Sequence, residues 1–168
     1  MSQMLVPSFS QVKEFFFSLY RTRITDKSFG ILFDSMKNYM PNLESLLYNF
    51  GHTGISDASI NQYANENFEN MKNLKSLKLY LHETPVTDES IVNFGGKVRD
   101  ILSNIENLCL GLNSTEVGNQ SAETMKQVLE NTMTLQGFHV HLGNTRVSTN
   151  KIQEISTIQR QRGVRILV

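Results

Sequence analysis

The chain is poor in cysteine: Cys109 is the single one in 168 residues. No disulfide can form within it, which fits a reducing compartment. Excess charge is also missing, since sixteen Lys and Arg balance sixteen Asp and Glu. Holding nucleic acid by its phosphates needs a basic field, so no nucleic acid is expected as partner. Zero net charge also gives little repulsion between copies, so association is favoured. No apolar run approaches the roughly 18 to 20 residues of a membrane helix, so no membrane insertion is expected. Residues 1–11 lack the charged start and long apolar centre of a secretory signal, and no basic residue precedes Lys13. The expectation is an intracellular, cytoplasmic protein, with a cytoskeletal, ciliary or organellar assembly left open. Gly95-Gly96 and Gly111 are too sparse for a phosphate loop.

What the chain has is self-similarity. From Val12 the same phase recurs at Leu43, Leu74, Ile105 and Leu135, in steps of 31, 31, 31 and 30 residues. Three residues on come Phe15, Leu46, Leu77, Leu108 and Phe138, and five on come Phe17, Tyr48, Leu79, Leu110 and Val140. Seven on come Leu19, Phe50, Leu81, Leu112 and Leu142. Ten on, every residue is threonine: Thr22, Thr53, Thr84, Thr115 and Thr145. Twelve on, every residue is β-branched: Ile24, Ile55, Val86, Val117 and Val147.

Each unit divides into two elements. Apolar residues at offsets three, five and seven have the period of a strand with one buried face. The second half has helical spacing, as in Phe29, Leu32, Phe33 and Met36 or in Ile60, Tyr63, Ala64 and Phe68. Thr25-Asp26, Ser56-Asp57 and Thr87-Asp88 place a hydroxyl at a helix N-cap and a carboxylate in the first turn, where the helix dipole favours it. The fourth and fifth units weaken this to Gly118-Asn119 and Ser148-Thr149. The pattern predicts helices over 26–38, 57–70, 88–101, 119–131 and 149–161. A column of Met40, Met71, Leu102 and Met133 is expected to seal the loop from helix to next strand.

This pattern resembles the leucine-rich repeats, specifically the long strand-plus-helix type of ribonuclease inhibitor. The resemblance covers Val12 to Val168 and is plainest in Leu74, Leu77 and Leu79. It implies an α/β solenoid, right-handed, with a parallel sheet on the concave side and helices on the convex side, in about five repeats of 30–31 residues. The family's Asn-x-Leu element is replaced by Thr-x-Ile or Thr-x-Val, two positions later. The family's asparagine bridges stacked units, so the threonine column is expected to form a weaker ladder of the same kind. Residues 1–11 are read as a short N-terminal cap and 12–168 as the solenoid, ending on a sixth strand, Val164–Val168, whose open edge invites cover by a partner.

Strand residues at offsets two, four and six then line the concave face. Two rows stand out: Phe16, Leu47, Lys78, Cys109 and His139, and Ser18, Asn49, Tyr80, Gly111 and His141. Apolar Phe16 and Leu47 at one end, with polar groups beyond, suit a protein partner. The candidate contact residues are Phe16, Leu47, Asn49, Lys78, Tyr80, Cys109, His139 and His141. Cys109 with the two histidines offers three metal-type donors, but a structural zinc site wants four, so no metal is expected. Nothing marks an oxyanion hole or an orienting carboxylate for a cysteine nucleophile. Arg160, Arg162 and Arg165 fall where the last helix ends, as favours the dipole. The expectation is a non-catalytic protein–protein interaction module without cofactor, a structural or adaptor subunit of a multi-subunit assembly. The alternative is a regulatory inhibitor that binds one enzyme through the concave face.

Overall fold

A computed structural model describes residues 9–36 and 40–166. After a single turn at Phe9–Gln11, strand and helix alternate: β1 (Glu14–Ser18), α1 (Asp26–Met36), β2 (Ser45–Asn49), α2 (Asp57–Asn67), β3 (Ser76–Tyr80), α3 (Asp88–Ile101), β4 (Asn107–Gly111), α4 (Asn119–Asn131), β5 (Gly137–His141) and α5 (Thr149–Gln161). The second helix is prolonged by a tighter turn at Phe68–Asn70. The five strands form one parallel sheet in chain order. Register follows the repeat: Leu46 stands beside Leu77, Leu77 beside Leu108 and Leu108 beside Phe138. Helices cover one face of the sheet, and each packs on the next. The chain is an α/β leucine-rich-repeat solenoid. Residues 1–8 of the expected cap lie outside the described residues.

The apolar columns form the core. Leu46, Leu77, Leu108 and Phe138 are fully buried, as are Ile55, Val86 and Val117. In the N-terminal half the core is aromatic, with Phe29, Phe33, Tyr48, Phe50 and Tyr63 meeting face to face or edge to face. In the central repeats it is mostly aliphatic, around the edge-to-face pair of Phe68 and Phe94. The helices present matching faces: Ile91, Phe94, Gly95 and Val98 of α3 are buried, at spacings of three, one and three.

Between strand and helix the chain turns by a device repeated in every unit. Arg21, His52, Glu83, Ser114 and Asn144, at offset nine, all have φ of 55 to 57°. This region is unusual for residues other than glycine. It lets the amides of the first four donate to the carbonyl at offset eight of the next repeat: Arg21 to Gly51 at 3.0 Å, His52 to His82 at 2.9 Å, Glu83 to Asn113 at 3.0 Å and Ser114 to Gly143 at 2.8 Å. The backbone ladder thus continues past the strands.

The threonine column does not bridge units. Each Oγ1 donates to the carbonyl three residues earlier in its own turn: Thr22 to Leu19, Thr53 to Phe50, Thr84 to Leu81, Thr115 to Leu112 and Thr145 to Leu142, at 2.6 to 2.7 Å. A short hydroxyl reaches its own turn, and the backbone ladder leaves it nothing to bridge.

The link between units is carried by the carboxylates at the helix starts. Asp26 accepts from the Ser56 amide at 2.8 Å and from the hydroxyls of Ser56 and Ser59, both at 2.6 Å. Asp57 accepts from the Thr87 amide at 2.9 Å and from the Thr87 and Ser90 hydroxyls at 2.6 and 2.5 Å. Asp88 accepts from the Gly118 and Ser121 amides at 2.7 and 3.0 Å and from the Ser121 hydroxyl at 2.5 Å. Asn119 keeps one contact, from the Ser148 amide at 2.8 Å. Burial pushes the Asp26 carboxyl up, but bonds from Ser56 and Ser59 outweigh it and hold the group below its ordinary range.

One member of the sealing column departs from expectation. Met40 and Leu102 are buried, but Met133 is 79 % exposed. The step between the fourth and fifth repeats is one residue short, so Thr132 takes the slot instead. In the fourth repeat the Ile105 amide donates to the Leu102 carbonyl, and in the fifth the Leu135 amide donates to Thr132 in the same way. Thr132 is buried, and its hydroxyl has no hydrogen-bond partner. After α5 the chain returns to the sheet at Arg165, which bridges Gly137. Val164 is buried and Ile166 is 66 % exposed. Leu167 and Val168 of the expected sixth strand lie outside the described residues.

Candidate functional site

Pleating puts offsets three and five into the core, so offsets two, four and six face away from the helices. Phe16 is 62 % exposed and stands in register with half-buried Leu47, which stands beside Lys78. Lys78 pairs with Cys109, and Cys109 with His139. In the next row Asn49, Tyr80, Gly111 and His141 are consecutive neighbours. The sheet therefore brings all eight expected contact residues onto one face.

Cys109 is nevertheless not available there, because it is buried. Tyr80 leans over it. A Cβ built on Gly111 would lie 2.6 Å from the Tyr80 ring, so only glycine leaves room for the ring to fold down. The Tyr80 hydroxyl lies 3.8 Å from the Cys109 sulfur. Burial pushes the Cys109 thiol above its ordinary pKa, the reverse of what a nucleophile needs. Burial, with the thiol beside it, also pushes Tyr80 up to about 12. Asn49 is partly committed as well, since its Oδ1 accepts from the Gly51 amide at 3.1 Å, a local turn of the kind asparagine makes.

A second part of the face was not legible as a site. Where the strands end, Tyr20, His52 and His82 form a cluster of rings meeting edge to face or tilted, with centroids 5.1 Å apart for Tyr20–His52, 5.5 Å for Tyr20–His82 and 5.4 Å for His52–His82. The Arg21 guanidinium lies 5.2 Å from the Tyr20 ring centre. His52 Nδ1 is 2.9 Å from a Glu83 carboxylate oxygen. Gly51 is again the enabling residue, because a Cβ there would lie 2.4 Å from the His82 ring. The signal in the sequence is the offset-eight row, Tyr20, Gly51, His82, Asn113 and Gly143, in which Gly51 stands between two large ring residues. On the C-terminal side, His139 and His141 lie with ring centres 4.1 Å apart. Burial lowers the pKa of His82, and so does the field of His52, with Glu83 opposing; burial and His141 lower that of His139.

Among the described residues no group of three or more His, Cys, Asp or Glu is placed to hold a metal ion. No described helix is long and apolar enough to cross a membrane. Two half-open spaces lie beside the core, the second reaching His139 of the sheet face. One, of about 110 Å³, sits under β2 between Phe33, Met40, Tyr48 and Met71. The other, of about 190 Å³, lies between β5 and α5, lined by apolar Phe138, Val140, Leu142, Ile152, Ile155 and Ile166 together with polar His139, Ser156 and Gln159.

Fold and face define a repeat solenoid of the leucine-rich-repeat kind. No family profile matches the sequence, and no curated protein matches it either. Solved structures do match. A structure described as leiomodin-1 actin-binding site 2 superposes with a TM-score of 0.64 over 91 % of this chain and 82 % of that one, at 10 % identity. An internalin of Listeria monocytogenes aligns over 83 % of this chain and 38 % of its own, with a TM-score of 0.43 and 17 % identity. At this identity the leiomodin-1 likeness concerns the fold.

Proposed function

We propose that this chain is a non-catalytic protein-interaction module, a structural or adaptor subunit that holds a larger assembly through the sheet face opposite its helices. The observation that carries the reading is Phe16, 62 % exposed and in register with Leu47 on a face that meets water. An exposed aromatic beside an aliphatic, with Lys78 and Tyr80 next to them, has the make-up of a contact centre. The leiomodin-1 segment, named for binding actin, shares the architecture and supports a binding role as a class. The repeat, with a full helix in each unit of 30 or 31 residues, is read as the ribonuclease-inhibitor-like type.

The test is affinity purification with mass spectrometry, comparing the natural chain with Phe16→Asp and Tyr80→Asp. An adaptor captures several proteins together, and Phe16→Asp loses them while circular dichroism stays unchanged. Capture of one enzyme in a one-to-one complex would favour the inhibitor. Capture unaffected by either substitution would remove this face from the account.

A further inference from the structure

We propose that the end of this face where the strands run out, at the first two repeats, captures an acidic segment of a partner protein, and that it does so more tightly as the imidazoles gain protons. The proposal rests on the reading of the sheet face as the contact surface and names what one corner of it recognises.

Charge distribution points there first. The chain is neutral overall, but its charges are not spread evenly. All four histidines, His52, His82, His139 and His141, lie on the sheet face or its rim. Arg21 stands beside His52 in the same row, and Arg23 is exposed two residues on. Among the described residues neither arginine has an ion-pair partner. The carboxylates nearby are already engaged: Glu83 with His52, Glu116 with Arg146, and Asp26 with Ser56 and Ser59. Glu44, at the opposite edge of the sheet, is held between Lys13 and Lys75. The rim therefore offers cationic and imidazole donors with no free acid to satisfy them.

The geometry shows a built surface. Gly51 allows His82 to lie back until it meets both Tyr20 and His52. The result is a cluster of three rings packed edge to face and tilted against one another, flanked by Arg21, rather than separate side chains in water. The groups facing the two imidazoles are Tyr20 and Arg21 after β1, Glu83 after β3 and His141 at the end of β5. When His52 and His82 are both protonated, Glu83 answers only one of them. A carboxylate from outside then relieves the repulsion between the rings. Phe16 lies four residues back along β1, about 13 Å away at the usual rise of a strand. The matching segment thus carries a carboxylate cluster and a large apolar side chain at about that separation. A nucleic acid is disfavoured, because two arginines at one corner do not make the extended basic track that a phosphate backbone needs.

The experiment uses the full chain and fluorescent oligoglutamate, oligolysine and oligothymidylate, read by anisotropy at low salt at about pH 5.5 and 7.5. Oligoglutamate is expected to bind about tenfold more tightly at the lower pH, and the His82 proton resonance to titrate at higher pH in its presence. The double variant Arg21→Asn and His52→Asn keeps residues suited to positive φ at both sites, so the turns remain formed. It is expected to lose both the binding and its pH dependence with an unchanged circular dichroism spectrum. Phe16→Asp is expected to leave oligoglutamate binding in place, so failure of the apolar contact and failure of the rim are told apart. The proposal is overturned by absence of oligoglutamate binding at either pH, by full binding in the double variant, or by tighter binding of oligothymidylate.

Discussion

At the scale of single residues, Gly95 and Gly96 are neighbours in α3 that do opposite things. A Cβ at Gly95 would lie 2.5 Å from a Thr124 methyl and 2.6 Å from the Met125 terminal methyl, because α4 packs directly against it. A Cβ at Gly96 would meet nothing within 4 Å. Gly95→Ala is therefore expected to destabilise by about 1–3 kcal/mol through overpacking. Gly96→Ala is expected to stabilise by about 0.5–1 kcal/mol by restricting the unfolded chain. Denaturant melts of the two variants check the pair, and equal effects would contradict the packing described.

At the scale of elements, what matters is how one helix start grips the next. Asp57 gathers the Thr87 amide, the Thr87 hydroxyl and the buried Ser90 hydroxyl, whereas Asn119 gathers only the Ser148 amide. Asp57→Ala is expected to cost about 2–3 kcal/mol, since it strands a buried hydroxyl and removes charge-assisted bonds. Asn119→Ala is expected to cost about 1 kcal/mol or less, and equal melting shifts for the two would show that the carboxylate is not the stronger grip. This grip also marks where sequence reading stopped. The strand and helix positions were legible because the apolar columns repeat without a break, and so were the hydroxyl caps at Ser56 and Thr87. The hand-over from Asp26 to Ser59 was not, because it joins residues 33 apart that belong to different columns. The burial of Cys109 was hidden for a related reason: strand alternation assigns a face, but not whether Tyr80 leans across it. Met133 was misplaced because one residue is missing from a single step of the repeat.

Across the whole molecule, interactions between repeats are mostly with nearest neighbours, so stability is a sum of repeats and their interfaces. Strands β3 and β4 are paired on both sides and their inward side chains are fully buried, while β1, at the edge, carries half-buried Phe15 and Phe17. Hydrogen exchange is expected to be slowest in β3 and β4 and faster in β1 and in the first turn of α5, which has no side-chain cap. Uniform protection would argue for one indivisible unit. A further expectation concerns acid. Bonds and charge from Lys13 and Lys75 hold the Glu44 carboxyl at about 2. A carboxyl lowered on folding stabilises above its unfolded pKa, and that stability is lost as pH falls through the folded value. Glu44→Gln is thus expected to flatten the decline in stability between about pH 4 and pH 2, as followed by melting across that range.

Asp26, Asp57 and Asp88, each at the first position of its helix, all reach toward the following repeat. A chain synthesised from its N-terminus meets this asymmetry in a favourable order. Each newly released segment finds a receptor already standing on the portion made before it, so growth of the stack proceeds by templating rather than by search.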